Sequence, residues 1–433
     1  MFDIKKAADQ IDAMLRAKDV AVFTYRVTES EKKELNTEGA DFNLLRTIFG
    51  GEVSVSVILE GRKGSASGND LSDAGLEKVI GDALLSAQSA EADEANAIAE
   101  KQEPETFRAG LLEADMPRFY DCLKALCGAI GREYPKVNLL QVIADHTSEH
   151  TIYRNASGTR FESFDGGYHV MVEMSGSDGE KNTGLDYFSL ATRDLDTPLI
   201  DQGSVKMHLE ATEASLNSVP LPGKFEGTVI FTPDCLGYFL YMLASNYVMN
   251  SVVMEGTSQW LNRLGEQVVS DKVTVSLKAR DERVVELQPF TSDGYKAEDV
   301  TFIDKGVLKS FLLNLYTARK TGRPVTKNTG FALVMEGGDT PLSEMIASVK
   351  KGLIVGGFSG GEPGANGEFS GVAKNSFLVE DGKIVGAVTE TMINGNLEKV
   401  FQDVAAVSRE QVCDGSTVLP YMASTGIVIS GNN

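Results

Sequence analysis

The sequence predicts an α+β fold in two lobes, and three observations carry that expectation. At 433 residues the chain is too long for one small core. Segments with a helical period alternate with segments in which every second residue is apolar. Two prolines and a glycine break the pattern at Ser218-Val219-Pro220-Leu221-Pro222-Gly223, dividing residues 1–219 from residues 220–433.

Taken in order, Ile4 to Ala17 reads as an amphipathic helix, and Val20 to Val27 and Val53 to Leu59 as half-buried strands. Ser72 is placed to cap the next helix. Ala90 to Glu105 is acidic and poor in large apolar groups, the composition of a solvated helix end and connector. A helix is expected near Pro117 to Gly131. Strands and hairpins follow from Val137 to Thr192, with turns at Asn155-Ala156-Ser157-Gly158 and Ser175 to Gly179. His169 falls on an alternating strand and His208 on a helix, and Trp260 reads as a core or interface anchor; none of the three points to a site. The second half opens with an apolar strand, Gly227 to Phe231, then a helix with Thr232 at its cap and Pro233 in its first turn.

Charge and cysteine usage narrow the function. A net charge of −21 repels a phosphate backbone, which argues against direct nucleic-acid binding. Cys122, Cys127, Cys235 and Cys413 are too scattered for a disulfide framework or a zinc ribbon, as expected in a reducing cytosol. The amino terminus alternates charged and apolar residues, unlike a signal peptide, and no apolar run is long enough to span a bilayer. A cytoplasmic location is the expectation.

The richest stretch runs from Leu353 to Leu397. It contains a glycine-dense segment, the run Gly367-Glu368-Phe369-Ser370, the turn Glu380-Asp381-Gly382 and a T-x-x-x-G-N-L run ending at Leu397. In that order these elements resemble the TldD/PmbA family of peptidase subunits, first described as modulators of DNA gyrase. Phe49 to Ala90, Thr151 to Ser163 and Phe311 to Gly330 resemble further parts of the family, so the likeness spans nearly the whole chain. It implies an amino-terminal domain of mixed strands and helices over residues 1–219 and a strand-rich carboxy-terminal domain over 220–433.

In the catalytic branch of that family the helix after the first strand of the second half carries H-E-x-x-x-H, with a cysteine near the carboxy terminus as a further zinc ligand. Here the helix reads CLGYFLYMLASNYVMN and has no histidine. Tyr241, Met242 and Asn246 align with the His, Glu and second His, and Cys413 with the cysteine. Methionine is no general base, and neutral Tyr and Asn are not usual zinc donors. The resemblance therefore points to the PmbA branch, also called TldE, with no metal and no catalytic residue of its own. It implies a heterodimer with a zinc-bearing TldD-like homologue acting on short, unstructured peptides. Gly360, Gly361, Gly367, Glu368, Phe369 and Ser370 are the candidate peptide-binding rim.

Other motifs compete. His146-Thr147-Ser148-Glu149-His150 fits H-x-x-E-H, which needs a helix to place two imidazoles on one face; flanking strands make it a turn with two surface histidines instead. Gly357-Phe358-Ser359-Gly360-Gly361 fits G-x-S-x-G, yet no helix can follow it and the last histidine in the chain is His208, so Ser359 is expected in a loop. The glycine run lacks the G-K-[ST] ending of a phosphate cradle. Two alternatives stay open: a self-sufficient peptidase using His146, Glu149 and His150, and a peptide-binding or regulatory homodimer.

Overall fold

A computed structural model describes residues 3–431 other than 222, 286, 287, 329, 331 and 390. Pro222 of the expected boundary and Thr329 of the Phe311 to Gly330 segment therefore lie outside the described residues.

The first half runs α1 (Ile4–Ala17), β1 (Phe23–Glu38), β2 (Asp41–Leu59), β3 (Arg62–Gly68), α2 (Asp73–Ser89), β4 (Glu105–Arg108), α3 (Met116–Glu133), β5 (Val137–Asn155), β6 (Arg160–Ser177), β7 (Asn182–Thr192) and α4 (Val205–Ser215). Among the described residues its strands make one seven-stranded sheet in the order β3-β2-β1-β5-β6-β4, with β7 also on β6. One face packs under the helices. Ile11 and Leu15 of α1 and Ile80 of α2 meet Val27, Val53 and Val55, while Phe119 and Leu123 of α3 meet Val142 and Val170. The alternation that sends these valines to the helices sends Arg26, Thr28, Glu149, Thr151 and Ser163 to the other face. Thr28 pairs with Thr151 and Thr151 with Ser163 across that polar face.

The second half runs β8 (Lys224–Phe231), α5 (Pro233–Tyr247), α6 (Asn250–Met254), β9 (Val275–Leu277), β10 (Val300–Asp304), β11 (Val307–Leu308), α7 (Leu315–Thr321), β12 (Leu333–Met335), α8 (Leu342–Ala347), β13 (Lys351–Gly360), β14 (Glu368–Glu380), β15 (Lys383–Val388), β16 (Thr391–Asn396), α9 (Leu397–Gln402), β17 (Val404–Cys413) and β18 (Thr417–Ser430). Among the described residues its strands make one eleven-stranded sheet, five strands of which close into a ring, because β8 pairs with β13 on one side and with β18 on the other, and β18-β16-β14-β13 completes the circuit. Closure leaves no edge within the ring itself. α5 packs against the ring, with Phe239 set among Phe231, Phe358 and Phe369 at ring-centroid distances of 4.6, 5.2 and 5.3 Å. Trp260 is fully buried and stacks on Tyr247 at 4.4 Å.

Local signals place several of these boundaries. The Ser72 side chain accepts a hydrogen bond from Gly75 N and caps α2. Asp381 and Gly382 turn β14 into β15 with φ of 47° and 74°, both in the left-handed region that a two-residue hairpin requires.

Two expectations need correction. The acidic stretch from Ala90 to Glu105 is a connector, but a packed one rather than a solvated helix end. Asp93 pairs with Lys320 at 2.6 Å and accepts from Tyr316 at 2.8 Å, Glu100 accepts from Tyr295 at 2.9 Å, and Ala95 and Ala99 are buried. Its carboxylates look unpartnered in the sequence because their cations come from the other half of the chain. Likewise His146 to His150 is not a turn: β5 runs straight through it.

Candidate functional site

α5 starts where the sequence says it should. The Thr232 side chain accepts from Cys235 N at 3.4 Å and Pro233 occupies the first turn, a cap of about 1 kcal/mol. Most of its length is apolar on every side, and Leu236, Phe239, Leu240, Met242 and Leu243 are buried. Met242 is fully buried, so the position aligned with a water-activating glutamate points into the core. Tyr241 is 54 % exposed on the outer face, and Asn246 donates from Nδ2 to the Gly364 carbonyl at 3.4 Å. Cys413 ends β17 beside Val284, Ala332, Val334 and Val418, where its Sγ donates to the Arg283 carbonyl at 3.1 Å. Burial pushes that thiol up, away from the thiolate a metal needs. The fold thus leaves Tyr241 exposed and Asn246 half-buried, about 140° apart around α5, and gives Met242 and Cys413 other surroundings. Such a donor set does not fit zinc. Among the described residues no group of three or more His, Cys, Asp or Glu side chains is arranged to hold a metal.

The glycine segment lies over the outer face of α5. Gly360 still belongs to β13 and pairs with Gly371; a side chain there would come within 2.6 Å of the Phe358 ring. The connection then folds over itself through Gly367 N to the Gly364 carbonyl at 2.8 Å, and is held by Gln259 on Ala365 and Asn396 on Asn366. Gly367 has φ +81°, and a Cβ on it would stand 2.5 Å from the Tyr247 hydroxyl. Of the expected rim, Gly361, Glu368 and Ser370 are exposed, whereas Gly367 and Phe369 are buried. Phe369 turns inward because strand alternation sends it to Phe239.

Neither competing motif assembles. His146 and His150 share one face of β5, but four residues of strand put them roughly 13 Å apart. His146 is buried with Nε2 donating to the Leu111 carbonyl at 2.7 Å, and burial holds its pKa down so that it stays neutral. His150 lies between Glu162 at 2.8 Å and Glu29 at 3.3 Å, stacked on Phe164. Glu149 faces the opposite side of the sheet. The expected surface histidines are thus structural, one buried and one partly buried. Ser359, expected in a loop, pairs with Val372 on the next-to-last rung of the β13–β14 ladder; it is exposed, but β13 passes on to β14 with no helix between them, so there is no strand-to-helix elbow.

The structure also shows a cleft that sequence reasoning missed. The polar face of the first sheet is roofed by residues 279–282 and 288–290 of the second half, leaving about 490 Å³ lined by Arg26, Arg108, Glu149, Asp165 and Arg193 on one side and Arg280 on the other. Arg193 crosses it, donating to the Val285 carbonyl at 2.8 Å and meeting Asp165 at 3.3 Å. These residues come from separate strands and loops, so no local pattern marks them.

Residues 223–431 match the profile of the PmbA/TldA metallopeptidase C-terminal domain. A metalloprotease PmbA homolog of Haemophilus influenzae is 25 % identical over 427 residues, covering 93 % of this chain and 89 % of its own. The crystal structure of TldE from Thermococcus kodakarensis superposes with a TM-score of 0.83 at 20 % identity, over 98 % of this chain and 100 % of that one. A Bacteroides thetaiotaomicron structure described as a candidate modulator of DNA gyrase gives 0.87 at 22 % identity, with 100 % of both chains covered. The fold is therefore that of the metallopeptidase-related, two-lobed α+β proteins. The chain belongs to the TldD/PmbA metallopeptidase family, and its likeness is to PmbA and TldE members.

Proposed function

We propose that this chain is a metal-free subunit of a TldD/PmbA-type peptidase, pairing with a zinc-bearing homologue to process short, unstructured peptides. The observation that carries the reading is the fate of α5: Met242 is sealed into the core, and Tyr241 and Asn246 offer no zinc donor. A chain that keeps the fold but not the ligands still walls off a chamber from water.

Two features support association. β3 pairs only with Val53 to Leu59 of β2, so the other edge of β2 from Asp41 to Glu52 is unpaired among the described residues. That stretch exposes Leu45 at 74 % and Phe49 at 55 %, apolar side chains next to an open ladder edge. An obligate pair buries more than the roughly 1,600 Å² of an ordinary complex.

The test mixes this chain with an H-E-x-x-x-H homologue from the same genome, follows cleavage of a disordered peptide and measures mass by light scattering. Activity is expected only from the mixture, with a mass of one copy of each. Cleavage by this chain alone in the presence of a chelator, or a homodimer that ignores the homologue, would refute the reading.

A further inference from the structure

The first sheet ends on one side in an edge that is only partly covered. β3 pairs with Val53 to Leu59 of β2, and from Phe42 to Glu52 the outer side of β2 is open among the described residues. Two contacts fix the direction of its backbone groups. Ile58 N donates to the Val22 carbonyl on the β1 side, so even-numbered residues of β2 face β1. The Glu60-Gly61 turn, with φ of 49° and 80°, closes the β2–β3 hairpin at Leu59 and Arg62, so odd-numbered residues face outward. The register of β2 on β1 is unbroken from Leu44 to Val57. Leu45, Thr47, Phe49 and Gly51 therefore turn their N–H and C=O groups to the open edge.

Such edges are ordinarily guarded by lysine, proline or a bulge. Residues 42–52, FNLLRTIFGGE, contain neither lysine nor proline, and their one cation, Arg46, is held by Glu34 of β1. Leu45 and Phe49 are exposed on the face that carries the helices, in a gap between two of them. α2 covers that face at Val53 and Val55, and α3 covers it at Phe42, whose ring lies 4.6 Å from that of Tyr120.

We propose that two copies of this chain join along this edge, antiparallel, about a two-fold axis through Thr47. The strand itself dictates the register. Thr47 is the midpoint of the open stretch from Phe42 to Glu52, so pairing centred there uses its full length and ends where each β3 begins. A two-fold perpendicular to the sheet sets Thr47 against its own copy as a hydrogen-bonded pair, which its outward N–H and C=O require. Leu45 then faces Phe49 of the second copy, and Phe49 faces that copy's Leu45, so the gap between the helices fills from both sides. Like charges do not meet, because Glu52 lies opposite Phe42 and Arg46 opposite Ile48. Moving the axis by one residue sets Phe49 against Asn43 or Thr47 and loses the apolar match. The outer strand beside each junction is β3, which carries Arg62 and Lys63 and no large apolar side chain, so the assembly stops at two copies. The pairing does not rest on the subunit reading: that reading is tested on a mixture with a homologue, and this one on the chain alone.

Light scattering of the purified chain from about 1 to about 100 μM is expected to show monomer mass giving way to dimer mass. Thr47→Pro removes an outward N–H and none of the hydrogen bonds to β1, and should leave the chain monomeric at about 100 μM. Leu45→Lys combined with Phe49→Lys should do the same. Thr47→Cys places two thiols on Cα atoms about 5.5 Å apart, within the span of a disulfide, so mild oxidation should link the copies. Glu52→Cys lies on the same edge but about 34 Å from its copy and should link no faster than the parent. Circular dichroism checks the fold of each variant; if Thr47→Pro is not folded, the lysine pair and the two cysteine variants make the comparison. A monomer at about 100 μM overturns the proposal. So does a dimer that survives both Thr47→Pro and the lysine pair, or linkage as fast through Glu52→Cys as through Thr47→Cys.

Discussion

His208 Nε2 lies 2.8 Å from Asp234 Oδ2, and that contact joins α4 to the first turn of α5. The other ring nitrogen meets Asp186 of β7 at 3.2 Å. Burial opposes a charge on this ring, but the hydrogen bonds to the two aspartates prevail and its pKa rises from 6.5 to about 9.

A raised pKa stabilises the fold only while the ring is protonated in it. The contribution is complete below the unfolded value of 6.5 and is lost as pH climbs through about 9. His208→Gln leaves a buried carboxylate short of its partner and should cost about 3 kcal/mol near neutral pH. Urea unfolding at about pH 6 and about pH 10 should show the gap between parent and variant narrowing as pH rises. A gap that widens would contradict the pairing.

The purified protein should carry far less than one zinc per chain, since the side chains aligned with a zinc site are a phenol, a thioether, an amide and a single thiol, Cys413. Elemental analysis after dialysis measures this directly. About one zinc per chain, lost on His146→Ala, would revive the strand histidines as ligands.

Ser359→Ala should leave the activity of an assembled complex within a few-fold of the parent, because Ser359 is one rung of a ladder opposite Val372. A nucleophile would lose on the order of a thousandfold or more. Steady-state rates on a disordered peptide separate the two outcomes.

Gly367→Ala should destabilise by about 1–2 kcal/mol from the left-handed backbone alone, with crowding against the Tyr247 hydroxyl added. Gly361→Ala has open space around the new methyl and should be nearly neutral. Comparing urea midpoints of the pair isolates the backbone demand from a general intolerance of the segment.

What could be read in the sequence was local. Ser72 and Thr232 announce the helices they cap, and Glu380-Asp381-Gly382 announces its hairpin, because each signal acts within four residues. The His146 to His150 stretch misled for a tertiary reason. Its polar residues look like a solvent-exposed turn, but one face of β5 is covered by the second half of the chain and the other gives His146 a carbonyl partner. Ser359 misled because glycines usually mark loops, whereas Gly360 and Gly371 are needed where two strands pass around the Phe358 ring. That Tyr241, Met242 and Asn246 stand where the resemblance expects His, Glu and His was legible from residue identity alone. The burial of Met242 and the inward turn of Phe369 were not, since both depend on how α5 meets the ring.

The connector between α2 and β4 has a consequence for synthesis. Asp93 and Lys320 are 227 residues apart in sequence, and Glu105 and Arg280 are 175 apart. A ribosome adding roughly 5–20 residues per second leaves that acidic strap without its cations for about ten seconds or longer. Over that interval the first half can form its sheet but cannot roof it. Its polar face and strap stay open to chaperones and proteases until Arg280 and Lys320 of the 433 residues have been added, so premature termination anywhere before Arg280 should yield fragments that are cleared rather than accumulated.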